Sequence, residues 1–221
     1  MRILVLNKIR RFWSAEKKTI IAHTHPDSVI SEQFRMIQTN MKFIMLEQKS
    51  RTILITSSGD GEGKSTIATN LAVSLAQQKK KVLLIDGNLR KPALHFFFNT
   101  SNTNGLTDVL TGRLSISEAV FHTEVWRLDL LTSGLVPFNP VELIGSQRMQ
   151  ELLIKVKQTY DVILIDSNSV LEVTDTKLLA SQCDGVILVT QNGKTKLEKA
   201  AEAKKVIEFS KAKIVGVVLN K

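Results

Sequence analysis

The stretch Ser57-Ser58-Gly59-Asp60-Gly61-Glu62-Gly63-Lys64-Ser65-Thr66 packs glycines, hydroxyls and a lysine between the apolar run TILIT and the periodic segment IATNLAVSLAQQ. Glycines let successive backbone N–H groups turn inward around a phosphate, and a helix that starts directly afterwards adds the positive end of its dipole. In such a cradle Gly59, Asp60, Gly61, Glu62 and Gly63 form the loop, and Lys64 reaches the β- and γ-phosphates of ATP. Ser65 sets its hydroxyl on Mg2+, and Thr66 helps to hold an α-phosphate. The usual pattern has a further glycine where Ser58 stands, an exchange that is tolerable if the backbone there needs no positive φ.

A phosphate loop that uses Mg2+ also needs a carboxylate at the end of another strand. The run DVILIDSNS supplies Asp166 where a buried strand ends, whereas Asp161 begins the same run at its solvent end. A second apolar run, KVLLIDGNLRKP, ends in Asp86 and continues through Asn88 to Arg90 and Lys91. Two acidic strand ends beside a phosphate loop can hold Mg2+-ATP and leave one carboxylate for a kinase or a water-activating ATPase. The alternative for Asp86 is a cap on a helix N-terminus.

These residues need a scaffold that brings strand ends together. Short apolar runs at Thr52–Thr56, Lys81–Asp86, Leu128–Thr132, Asp161–Asp166, Gly185–Thr190 and Ile214–Leu219 alternate with helical patterns near 64–79, 105–112, 115–121, 141–158, 174–182 and 195–210. Strands rich in Val, Ile and Leu, without in-out alternation, imply a sheet covered on both faces. The expected fold is α/β: a P-loop NTPase with a mainly parallel sheet and helices on both faces. An amphipathic helix from Ser28 to about Glu47 precedes it, with Glu32, Arg35 and Gln38 expected on its polar face. The domain is expected over 28–221, after a basic extension over 1–27 in which HTHPD reads as a turn.

The formal charge of +9 is local: residues 1–18 carry +5, residues 194–213 carry +4, and the rest sums to zero. No recognition helix or base-reading motif accompanies it, so no specific nucleic-acid partner is expected. The segment MRILVLNKIRRFW mixes basic and apolar residues and reads either as a short membrane-surface element or as a loosely docked tail. One cysteine, Cys183, precludes an internal disulfide and paired-cysteine cluster chemistry, and with no signal peptide evident it points to the cytoplasm. No run reaches the ~20 apolar residues of a membrane span.

Together these segments resemble the bacterial tyrosine kinases, P-loop cytoplasmic kinases that regulate capsule and exopolysaccharide synthesis. GEGKST is similar to their Walker A motif, VLLIDGNLRKP to Walker A′ and DVILIDSNSVLEVTDTKLLA to Walker B with its following helix. NTNGLTDVLTGRLSISEAV, LDLLTSGLVPFNPVELIGSQRM and KIVGVVLNK also look like family segments, so the resemblance runs from about Ser28 to Lys221. It implies an ATP- and Mg2+-dependent tyrosine kinase activated by the cytoplasmic tail of a transmembrane adaptor of the polysaccharide co-polymerase type. It also implies homo-oligomers working at the inner face of the membrane. By position, Lys64 and Ser65 would bind phosphate and metal, Asp86 would be the acid-base or metal-side residue and Asp166 the Walker B carboxylate. Asn220 would contact adenine, and Arg90 and Lys91 would face the γ-phosphate or the acceptor.

Four positions depart from the family pattern. Asn88 replaces the second acid of Walker A′, and its amide can accept a hydrogen bond but cannot act as a base. Ser167-Asn168-Ser169 replaces Thr-Pro-Pro, which should loosen the turn beside the metal. Gln38 replaces the last arginine of the Glu-x-x-Arg-x-x-Arg assembly motif. The tyrosine-rich tail is absent, and the single tyrosine, Tyr160, reads as a packed residue at the edge of the core, so the acceptor is expected on another molecule or on a trimmed tail. These departures also suit a catalytically weakened ATP-binding partner of the adaptor. The related positioning ATPases of the Min and Par type carry an early loop lysine where this chain has Gly59.

Overall fold

A computed structural model describes residues 3–5, 19–45 and 51–221, with the side chains of 3–5 and 42–45 left aside. Its strands are β1 (Ile3–Val5), β2 (Arg51–Ser57), β3 (Val82–Asp86), β4 (Phe121–His122), β5 (Leu128–Leu131), β6 (Val162–Asp166), β7 (Gly185–Gln191) and β8 (Ile214–Asn220). They form one sheet in the order β1-β8-β7-β2-β6-β3-β5-β4, parallel throughout except for β4. Every expected strand is present, within a residue or so at each end. Residues 1–2 and 6–18 of the basic extension, and with them most of MRILVLNKIRRFW, lie outside the described residues.

Along the central strands alternate side chains serve opposite cores. Ile53 and Ile55 of β2, Leu84 of β3 and Leu164 of β6 pack toward α1 (Ile21–Thr24), α2 (Val29–Met45) and α3 (Lys64–Gln77). Leu54, Leu83, Ile85, Ile163 and Ile165 pack toward the other layer. That layer includes α5 (Leu106–Thr111), α8 (Gln147–Lys157), α9 (Thr174–Gln182) and α10 (Leu197–Phe209). The remaining helices are α4 (Leu94–Phe97), α6 (Ile116–Ala119) and α7 (Pro140–Ile144). Residues of one strand feed both cores, which is why the apolar runs show no polar alternation.

Three local differences from the sequence reading have clear causes. The helix expected over 141–158 is two helices, α7 and α8. Ser146 separates them: its hydroxyl donates to the Leu143 carbonyl at 2.7 Å and accepts from the Met149 N–H at 3.3 Å, ending one helix and capping the next. Residues 21–24 form a helical turn that takes in the first two residues of HTHPD, His23 and Thr24. Asn70 Oδ1 accepts its Ala22 N–H and Gln77 Nε2 donates to its Ala22 carbonyl, each at 2.9 Å. Packing on α3 thus begins before Ser28, with Ile20 and Ala22 in the core.

The third difference is Gln38, which is fully buried rather than displayed. Phe34, Ile37, Gln38 and Met41 fall at i, i+3, i+4 and i+7, so the stripe that buries Phe34 also buries Gln38. Its Oε1 accepts from Ser74 of α3 at 3.4 Å, and its Nε2 has no hydrogen-bond partner among the described residues. Glu32 and Arg35 stay at the surface, paired at 2.7 Å. No helix among the described residues is long and apolar enough to cross a membrane.

Removing the unpartnered amide should relieve its desolvation. Gln38→Leu is expected to leave stability unchanged or raise it by up to about 1 kcal/mol, read from the urea midpoint; a loss of more than that amount would contradict the packing described.

Candidate active site

Parallel pairing brings the expected functional residues to one edge of the sheet. The register sets Ile55 beside Asp166 and Asp86 beside Asp166, so β2, β6 and β3 deliver the phosphate loop and both carboxylates at their carboxyl ends. β7 and β8 end at the same edge, with Gln191 paired to Asn220. In open parallel sheets ligands bind at this edge.

The loop turns as the glycines predict, with positive φ at Gly61 (71°) and Gly63 (92°) and α3 starting at Lys64. The positive φ alone disfavours a side chain at either glycine; a Cβ at Gly61 would displace the Lys194 ammonium, and one at Gly63 would overlap the Asn220 amide. Ser58 needs no positive φ and has its own task. Its N–H and hydroxyl both donate to the Glu62 carboxyl group, at 3.0 and 2.9 Å, and Thr195 donates to the same group at 2.6 Å. Glu62 is buried, so it braces the loop from behind rather than lining the phosphate side. Asn220 Nδ2 adds a bond to the Glu62 carbonyl at 3.1 Å.

Lys64 is 6% exposed, and its Nζ lies 3.4 Å from both Asp60 Oδ1 and Ser169 Oγ. Ser65 and Thr66 follow on the first turn of α3, half-buried. Asp60 is shared, because Lys91 of the loop after β3 reaches its Oδ2 at 3.2 Å. Lys194 donates to the Asp60 carbonyl at 2.7 Å, and Glu172 accepts the Asp60 N–H at 3.1 Å.

Asp86 and Asp166 are fully buried neighbours. Asp86 lies at the edge expected for a site residue and also organises a helix start, as the alternative for it had it. Its Oδ2 accepts from the N–H groups of Ala93 and Leu94 at the start of α4, at 2.9 Å each, while Oδ1 accepts from Asn88 N–H at 3.2 Å. Asn88 in turn accepts the Lys91 N–H at 2.9 Å, so the amide that replaces an acid closes the turn carrying Lys91. Arg90 reaches the same edge, but its guanidinium is held by the buried Asp175 of α9 through two bonds of 2.7 and 3.1 Å. It points to that carboxylate, not to the phosphate loop.

The turn over Ser167-Asn168-Ser169 is not loosened. The Asn168 carbonyl accepts from Thr56 at 2.7 Å and from Thr176 at 3.0 Å, and Ser167 donates to the Ile55 carbonyl at 3.0 Å. Hydrogen bonds do here what two prolines would do by covalent stiffness. Tyr160 is 8% exposed and donates to Asp129 at 2.8 Å. Burial first, and then the Asp129 hydrogen bond and charge, push its phenol well above the ordinary range.

The donor set suits the groups expected. Ser65, Asp86 and Asp166 offer oxygen ligands of the kind Mg2+ prefers, with phosphate oxygens completing the shell. Asn220 Oδ1 is buried with no hydrogen-bond partner among the described residues, an acceptor suited to an amino group such as that of adenine. Sequence reasoning gave no role at the site to Asp175, Lys194 and Thr195, and saw Ser169 only as part of a turn. The signal available was position: Ser169, Lys194 and Thr195 follow shortly after β6 or β7 at the loop's own edge of the sheet, and Asp175 is in the first turn of α9, the helix that follows β6.

Fold and loop together define a P-loop nucleotide-binding protein, and residues 50–214 match the family model described as an AAA domain. The chain is 44% identical over 207 residues to the tyrosine-protein kinase YwqD of Bacillus subtilis (strain 168), covering 94% of this chain and 87% of that one. Among solved structures, the chimerical protein CapA2B2 superposes with a TM-score of 0.90 at 37% identity, covering 99% of this chain and 93% of that one. The septum site-determining protein MinD of Pyrococcus horikoshii OT3, complexed with Mg-ADP, gives 0.66 at 28%, covering 77% and 70%. The chain belongs to the bacterial tyrosine kinase family, whose members are associated with capsule and exopolysaccharide synthesis.

Cutting the brace behind the loop tests this geometry. Glu62→Ala should weaken ATP binding and cost about 2–3 kcal/mol of stability, read by nucleotide titration and urea unfolding; unchanged ATP affinity would show that the loop holds its shape without Glu62.

Proposed function

We propose that the protein transfers the γ-phosphate of Mg2+-ATP to tyrosine hydroxyls of another molecule, under control of the cytoplasmic tail of a transmembrane polysaccharide co-polymerase-type adaptor. The observation that carries this reading is the convergence of Lys64, Asp86 and Asp166 at one sheet edge around a glycine-lined loop. Lys64 and the loop N–H groups orient the phosphates, and Ser65 and Asp166 hold Mg2+. The metal, when bound, neutralises charge on the phosphoryl group being transferred. Asn220 contacts adenine. Asp86, oriented by three backbone N–H groups, is the carboxylate that would accept the proton of the attacking hydroxyl. Arg90, held by Asp175, fixes the loop after β3 and with it Lys91.

The acceptor lies outside these 221 residues, since their single tyrosine, Tyr160, is buried and bonded to Asp129. The protein works at the inner face of the cell membrane through its adaptor and assembles as a homo-oligomer. The surface of α2 with Glu32, Arg35 and the exposed Met36 supports it as the assembly face. A second reading, an ATP-binding regulator without turnover, is favoured by one observation: Asp86 is engaged by the start of α4, while Asn88 leaves the turn after β3 without its second acid.

Phosphotyrosine formation on a tyrosine-rich peptide, with Mg2+-ATP and the adaptor tail, separates the two. The wild type should transfer phosphate, and Lys64→Met should abolish it. Asp86→Ala is expected to reduce the rate about 100-fold or more, and full activity in that variant would remove Asp86 as the base. Silence in the wild type with activity in Asn88→Asp would establish the regulator instead.

A further inference from the structure

Three lysines converge on one residue of the phosphate loop. Asp60 takes Lys64 on one carboxylate oxygen and Lys91 on the other, and its carbonyl takes Lys194. Lys64 is almost wholly buried, so its ammonium has few ways to be satisfied, and the contacts it makes are with Asp60 and Ser169. Lys91 is 77% exposed and comes from the loop after β3, so the Asp60 carboxylate ties the two loops that flank the site. Loop geometry does not require an acid at position 60: its backbone N–H is held by Glu172 and its carbonyl by Lys194, independently of the carboxylate.

We propose that Asp60 is a resident counter-anion: it occupies the phosphate-binding lysine in the nucleotide-free protein and must be displaced by the β- and γ-phosphates, which releases Lys91 at the mouth of the site. Asp60 is thus a positioning residue acting through Lys64, and the inference rests on the nucleotide-site reading given above. Partial burial alone would raise the Asp60 carboxyl, but the hydrogen bond from Lys91 and the charges of Lys64 and Lys91 outweigh it and hold the group below the ordinary carboxylate range. It is therefore ionised wherever nucleotide would bind. An incoming polyphosphate competes with this carboxylate for the Lys64 ammonium and is repelled by it. Both effects lower affinity, and both fade as salt screens them. They grow with the number of phosphates that reach Lys64, so AMP, which lacks the β- and γ-groups, should feel them least.

The test compares the wild type, Asp60→Asn and Asp60→Glu by titration with ATP, ADP and AMP at low and high salt. Asp60→Asn should bind ATP and ADP about two- to fivefold more tightly than the wild type at low salt. AMP should change less, and the gain should shrink at high salt. Asp60→Glu should return to the wild-type constants, and the KM for ATP should fall in the Asn variant. Equal or weaker ATP binding by Asp60→Asn, or the same gain for AMP as for ATP, would overturn the counter-anion role while leaving the nucleotide site in place. Failure of all three proteins to bind ATP would overturn both.

Discussion

The parallel pairing of β3 with β6 sets Asp86 in register with Asp166, two strand positions from the point where β2 turns into the phosphate loop. Much else at the site answers to that constraint. Two buried carboxylates side by side carry a desolvation cost that must be met by hydrogen bonds or cations. Asp86 meets it by organising the start of α4 and the turn at Asn88. The same turn fixes where Lys91 and Arg90 emerge, one toward Asp60 and the other toward Asp175. The loops on the carboxyl edge are therefore linked side chain to side chain, although they are far apart in the sequence.

Glycine alone does not hold the phosphate loop. Positive φ at Gly61 and Gly63 makes the turn possible, but its shape is kept by the Glu62 carboxyl group behind it and by Asn220 beside it. Because Thr195 follows β7 and Asn220 ends β8, two strands on the far side of β2 contribute directly to the cradle. The cradle is thus built by the sheet as a whole, which is consistent with ligand binding at the carboxyl edge of parallel folds.

Much of this was legible in the residues. The apolar runs locate six strands because buried parallel strands leave little room for polar alternation, and GEGKST at a strand-to-helix junction locates the loop. What the residues did not reveal lay where tertiary contacts decide. β1 and β4, of three and two residues, are too short to show a period. Gln38 is polar by type yet buried by phase, since α2 turns Phe34 and Met41 inward and carries position 38 with them. The Ser167-Asn168-Ser169 turn looked weak without its prolines, but two threonines hold it, Thr176 from the start of α9 and Thr56 from β2, which is far away in the sequence. Arg90 was assigned by motif position, and only the fold brings it to Asp175.

Ser58, Glu62 and Thr195 behave as one unit with a single buried acceptor group at its centre. A glycine at position 58 would remove a hydroxyl from that group, and an apolar residue at 62 would leave two hydroxyls with nothing to receive them. Natural variation at these three positions should consequently be correlated: lineages that restore the usual early glycine would be free to lose the acid, whereas those that keep serine would keep all three. The serine is then half of an exchange whose other half lies four residues away, and no degeneration of the motif is implied.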